Sequence, residues 1–83
     1  MAVYVLMNKI EDNKEKVVYE FGPNEKMMGI IEFNKIQKSF SIIRDVSEDA
    51  STNRAYERWA AEKIVRIMYR EDGNFPDITS VEK

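Results

Sequence analysis

The sequence predicts a small α+β domain of order β-β-β-β-α: a four-stranded antiparallel meander followed by one long C-terminal helix packed on one sheet face. Three observations predict it. Residues 1–46 hold four short runs rich in β-branched and aromatic side chains, separated by polar or Gly/Pro-bearing breaks. Residues 53–72 contain neither Gly nor Pro and repeat apolar side chains at helical spacing. The connections are short, which favours pairing of consecutive strands.

The first strand is expected over residues 2–8, with Val3, Val5 and Met7 on one face and Tyr4 and Leu6 on the other. "EDNKE" (11–15) reads as a polar turn. A second strand over 16–21 aligns Val17, Tyr19 and Phe21. "GPNEK" (22–26) breaks it, with Pro23 and Asn24 suited to the central positions of a turn. A third strand over 28–34 sets Ile31 and Phe33 on the face of Gly29. "NKIQK" (34–38) is a hairpin connection without the Asn-Gly pair that marks the tightest turns. The fourth strand, 39–46, pairs Phe40 with Ile42 on one face and Ser39 with Ser41 on the other.

After Val46 the pattern changes. "SEDAST" (47–52) offers several capping side chains and two acids, the right sign for the positive end of a helix. A helix is expected over 52–72, with Tyr56, Ala60, Ile64, Ile67 and Met68 in one stripe and Trp59 at its margin. Gly73 suits the left-handed position that ends it, and Pro76 blocks resumption. Residues 73–83 are then a tail carrying Phe75, Ile78 and Val81.

Eighty-three residues fit one domain, 1–83, at a size where a single core is only just sufficient. There is no cysteine, so no disulfide or thiolate site can support it, and burial of nine aromatics and nine isoleucines must do so instead. With no histidine either, Ser-His-Asp, Cys-His and zinc-centred chemistry are excluded. The adjacent acids Glu11-Asp12, Glu48-Asp49 and Glu71-Asp72 fall at expected turns or helix ends. A catalytic carboxylate pair needs a desolvated site, and those places are solvated. The three glycines are scattered, and no P-loop, dinucleotide fingerprint or EF-hand spacing occurs. The expectation is a protein that is not an enzyme, with no catalytic residue, cofactor or metal.

The net charge of −2 gives no general pull toward nucleic acid or an anionic membrane. Apolar runs fall far short of the roughly 20 residues that span a bilayer. "MAVYVLMNK" lacks a basic segment before its apolar stretch and is not expected to be a signal peptide, so the expected compartment is the cytoplasm. Abundant Lys, Ile, Glu and Asn match the bias of AT-rich bacterial or phage genomes.

Two surfaces carry the functional expectation. The helix holds Arg54, Arg58, Lys63, Arg66 and Arg70 against Glu57 and Glu62. Arg58, Glu62, Arg66 and Arg70 are successive i,i+4 neighbours forming a row, with Lys63 and Trp59 beside it. The plain reading is a solvated face with Glu62 bridging Arg58 and Arg66. The sharper one is a contact for phosphates or an acidic protein, weakened by bracketing acids within a Debye length of about 8 Å.

The second surface follows from the doublets Val17-Val18, Met27-Met28, Ile30-Ile31 and Ile42-Ile43. Neighbouring strand residues point to opposite faces, so doublets supply more apolar side chains than one helix can cover. Val18, Met28, Ile30 and Ile43, with Tyr4 and Leu6, are expected opposite the helix, among Glu20, Glu32 and Asn34. The tail, a second copy, or another protein could cover them. The expectation is a small protein-binding module of the inhibitor, immunity or adaptor kind. It would act through Val18, Met28, Ile30 and Ile43, or through Arg58, Lys63, Arg66, Arg70 and Trp59. The alternatives are a nucleic-acid-binding module using the helix cations and a structural homo-oligomer such as a homodimer.

Overall fold

A computed structural model describes residues 4–46, 48–71 and 73–82; Ala2, Val3, Ser47 and Asp72, each given a place above, lie outside the described residues. The elements are β1 (Tyr4–Asp12), β2 (Lys16–Asn24), β3 (Met27–Asn34), β4 (Ser39–Arg44), α1 (Ala50–Arg70) and β5 (Ile78–Glu82). They build one antiparallel sheet in the order β4-β3-β2-β1-β5. The α+β class and the meander stand as expected. The helix is not the last element, however, because the stretch read as a tail forms β5 on the free edge of β1.

Three hairpins turn on one device, an asparagine whose side chain accepts two backbone N–H groups ahead of it. Asn13 Oδ1 accepts from Glu15 and Lys16 at 2.8 and 3.0 Å. Asn24 does so from Lys26 and Met27, and Asn34 from Ile36 and Gln37, at 2.8–3.1 Å. An Asx turn of this kind needs no Asn-Gly pair. Lys38 closes the last of them at φ 55°, where glycine or asparagine is more usual.

Pro23 is not at a turn centre but inside β2. The register there runs from Phe21↔Gly29 to Asn24↔Met27, so Gly22 and Pro23 together face Met28. A bulge is where an inner strand tolerates a residue without an N–H. Further irregularities leave Ile10 extra between Lys9 and Glu11, and Ile43 extra opposite the Ile30/Ile31 step. β4 also ends at Arg44 rather than Val46, which leaves the sheet and is buried against the core.

α1 begins two residues earlier than expected. Asp49 is the N-cap, accepting from the Thr52 N–H at 2.9 Å and from the Thr52 hydroxyl. Those bonds to the ionised carboxyl, the hydroxyl's first, hold Asp49 below the usual carboxylate range. At the other end the Glu71 N–H reaches the Ile67 carbonyl at 2.9 Å, and Gly73 takes φ 77°.

One face of the sheet and one side of the helix make the core. Val5, Met7, Val17, Tyr19, Phe21, Ile31 and Phe33 meet Ala60, Ile64 and Ile67 there, all nearly or fully inaccessible. Trp59 flanks the stripe as expected, and Tyr56 and Met68, expected within it, are only partly buried beside it, with Tyr56 and Trp59 edge to face at 5.5 Å. Val81 from β5 joins this core, and so does Phe75, whose ring lies 6.3 Å from that of Tyr19.

Candidate protein-binding surfaces

The tail is the first element to settle, because it decides which surfaces remain open. A polar latch draws it to the sheet edge. Lys9 Nζ donates to the Phe75 carbonyl at 2.9 Å and pairs with Asp77 at 3.1 Å, while its backbone N–H reaches the Asp77 carbonyl at 2.7 Å. Tyr19, fully buried, donates its hydroxyl to the Pro76 carbonyl. Lys35 bonds Asp12 and the Asn13 carbonyl, and its ammonium sits 5.1 Å from the centre of the Phe75 ring. Residues 75–77 are thereby tied down, and 78–82 continue as a strand.

The latch also holds its lysine in the charged form. The hydrogen bond to Asp77 is the largest influence on Lys9 and holds its ammonium above the usual range. Tyr19 is raised well above the ordinary phenol range, chiefly by burial and then by the charges of Asp12, Asp77 and Glu71.

Both groups lose their proton less readily in the folded chain than in the unfolded one, so both contribute stability that is complete below pH about 10 and falls as pH rises beyond it. Urea melts between pH 8 and 11.5 should show the midpoint falling above pH about 10. Tyr19→Phe should flatten part of that fall, at the cost near neutrality of about 1 kcal/mol for its hydrogen bond. A fall equally steep in both proteins would remove the buried hydroxyl from the latch.

Phe75 and Val81 lie on the helix side and Ile78 is 70% exposed, so the tail does not cover the second sheet face. That face is read from the register. Tyr4, Leu6, Val18, Met28 and Ile30 lie on it, and Ile78 stands opposite Asn8 at the β5 edge. No described element lies across it; all the helix's packing is on the other side.

The four residues singled out on this face differ in access. Val18 is buried: it stands between Glu11 and Glu32, and Lys16 reaches both carboxylates at 3.5 Å, roofing it. The charges of Glu11 and then Glu32 hold Lys16 protonated above its usual range. Met28 is buried as well, its sulfur 3.1 Å from where a Gly22 Cβ would stand. Ile30 is half-buried and Ile43 is 58% exposed. The accessible apolar part is therefore Ile30 and Ile43, with Tyr4 and Ile78 toward the other edge. Around them stand Glu11, Glu20, Glu32 and Glu82, with Lys16 and Arg44.

The helix row is assembled as its spacing requires. Arg58, Glu62, Arg66 and Arg70 are exposed on α1, and Lys63 and Trp59 are half-buried on the flank facing β5. Trp59, Lys63 and Arg66 line a groove there with Ser80 and Val81. The ion pairs between described residues all lie on the sheet, its turns and the latch, and none uses Arg54, Arg58, Arg66 or Arg70. Reasoning from the row alone missed Val65, 37% exposed, and Tyr69, 70% exposed. Their signal was present: Val65 and Tyr69 repeat at i,i+4 on the exposed side, continuing a row that starts at Ala61, which still touches the core.

The fold defines an α+β protein with one helix on a five-stranded antiparallel sheet. Comparison with protein-family models, with curated proteins and with solved structures finds no match. Among the described residues no helix is long and apolar enough to cross a membrane, and no acidic cluster is arranged to hold a metal ion.

Proposed function

We propose that this protein is a non-enzymatic, cytoplasmic binding module whose partner is another protein docked on the sheet face opposite the helix. The carrying observation is that no described element crosses this face, although Tyr4, Ile30, Ile43 and Ile78 keep part of their surface accessible there. Apolar groups set among polar ones suit a partner surface with a polar rim. The charges favour a different protein over a second copy. Glu11, Glu20, Glu32 and Glu82 outnumber Lys16 and Arg44, so two such faces laid together would oppose carboxylates. A partner presenting apolar side chains and cations fits instead.

The test uses Ile30→Thr with Ile43→Thr, which keeps the β-branched shape and adds hydroxyls to the accessible part of the face. Val18→Thr serves as the contrast, since that side chain is roofed by its own ion pairs. Sedimentation and thermal melts are run on each, with affinity capture of partners from the source cells. The expected result is a monomer whose specific partner is lost by the folded double variant. A wild-type dimer that the same double variant dissociates would establish the homo-oligomer instead. A partner retained by the double variant would remove this face from binding. Nucleic-acid binding through Arg58, Arg66, Arg70 and Lys63 is the alternative. It predicts affinity that falls steeply with salt and is abolished by Arg66→Glu.

A further inference from the structure

We infer that the outer face of α1 is a second docking surface and that its partner is an acidic amphipathic segment of another protein, carboxylates along one side of a line of apolar side chains. The inference deepens the protein-binding reading but stands on different residues. Val65 and Tyr69 are large apolar side chains left accessible on the side of the helix turned from the core. With Ala61 they form a stripe one helical turn apart, and Arg58, Arg66 and Arg70 line the same shallow surface. Arg58, Arg66 and Arg70 run along one margin of that apolar line, with Glu62 among them, and match carboxylates placed along one margin of a partner helix.

The charges select among occupants. A second copy of the same face would set Arg58, Arg66 and Arg70 against their own counterparts, which is repulsive. Phosphates could meet the arginines, but Ala61 and Val65 offer a nucleic acid neither stacking nor hydrogen bonds. The carboxylates of Glu48, Asp49 and Glu71 at the helix ends also oppose a polyanion longer than the helix. A short acidic segment with apolar side chains meets both the three arginines and the apolar side chains, with Glu62 the one carboxylate among them. The arginines are available for it, since none is engaged in an ion pair among the described residues.

The probe is a fluorescent helical peptide of about 18 residues, with leucine at i, i+4, i+7 and i+11 and glutamate along one flank. Controls replace every glutamate by lysine, or every leucine by serine, and a single-stranded RNA of about 20 nucleotides is titrated in parallel. At physiological salt the glutamate–leucine peptide should bind saturably, and each control peptide at least about tenfold more weakly. Tyr69→Ser and Arg66→Glu should each weaken binding at least about tenfold, whereas Ile30→Thr should leave it unchanged. That last comparison separates failure here from failure of the sheet-face reading. Circular dichroism establishes that each variant is folded, and Val65→Ser replaces Tyr69→Ser if that variant is not. Absence of saturation by about 1 mM peptide would overturn the inference. So would equal binding of the lysine peptide, indifference to both substitutions, or tighter binding of the RNA.

Discussion

Ile64→Ala is expected to lower the folding free energy by about 2–5 kcal/mol, the range for removing a fully buried aliphatic side chain. Ile64 is completely inaccessible, in the middle of the stripe that α1 lays on β1, β2, β3 and β5, with Ala60 and Ile67 on either side. Ala60, one turn before it, is too small to fill the void from that side. A domain of this size has a total stability of only about 4–12 kcal/mol, so the variant should lose a large share of it. Urea denaturation followed by circular dichroism measures the difference. A loss under about 0.5 kcal/mol would mean that another side of the helix faces the sheet.

Gly22→Ala should be nearly as damaging, at about 3 kcal/mol or more, although it adds a single methyl group. A Cβ at this position would stand 1.9 Å from the Met27 carbonyl oxygen and 3.0 Å from its carbon. Those are backbone atoms at the start of β3, so no rotamer change relieves the clash. The strands must separate at the bulge where Gly22 and Pro23 face Met28. The sulfur of Met28, which occupies the space beside Gly22, must be displaced as well. Thermal melts of Gly22→Ala beside wild type decide the matter, with Gly73→Ala as a milder comparison. At Gly73 the nearest non-neighbouring atom to a new Cβ is the Met68 sulfur at 3.5 Å, and the strain is that of φ 77° alone. A Gly22→Ala protein as stable as wild type would show that β2 and β3 do not approach this closely.

Much of the fold was legible because its causes are local. Alternation in residues 16–21 placed Val17, Tyr19 and Phe21 on one face, and the 3.6-residue period placed Ala60, Ile64 and Ile67 opposite them. The capping run 47–52 and Gly73 bracketed the helix for reasons local to its ends, although it starts two residues before the expected 52, with Asp49 as its cap. The doublets implied two apolar strand faces, and Ile30 and Ile43 stand on their faces with accessible surface.

The rest depended on contacts between residues far apart in sequence. β5 was read as a tail because "ITSVE" is a short run with modest alternation. It becomes a strand because Lys9 and Tyr19, some 57 to 66 residues earlier, bind the carbonyls of Pro76 and Phe75 beside an edge that is already formed. Pro23 was placed in a turn because its missing N–H is a poor match for an inner strand; only the pairing of β2 with β3 shows the bulge that accommodates it. Val18 looked like a partner contact until the register set Glu11 and Glu32 on either side of it and let Lys16 bridge them above it. By itself the sequence determined the first four strands and the helix, and which of their residues had to be covered, since these follow from periodicity and capping along the chain. Only the tertiary structure decided what covers them, because strand register, the bulges and the latch at β5 arise from pairings that no local pattern encodes.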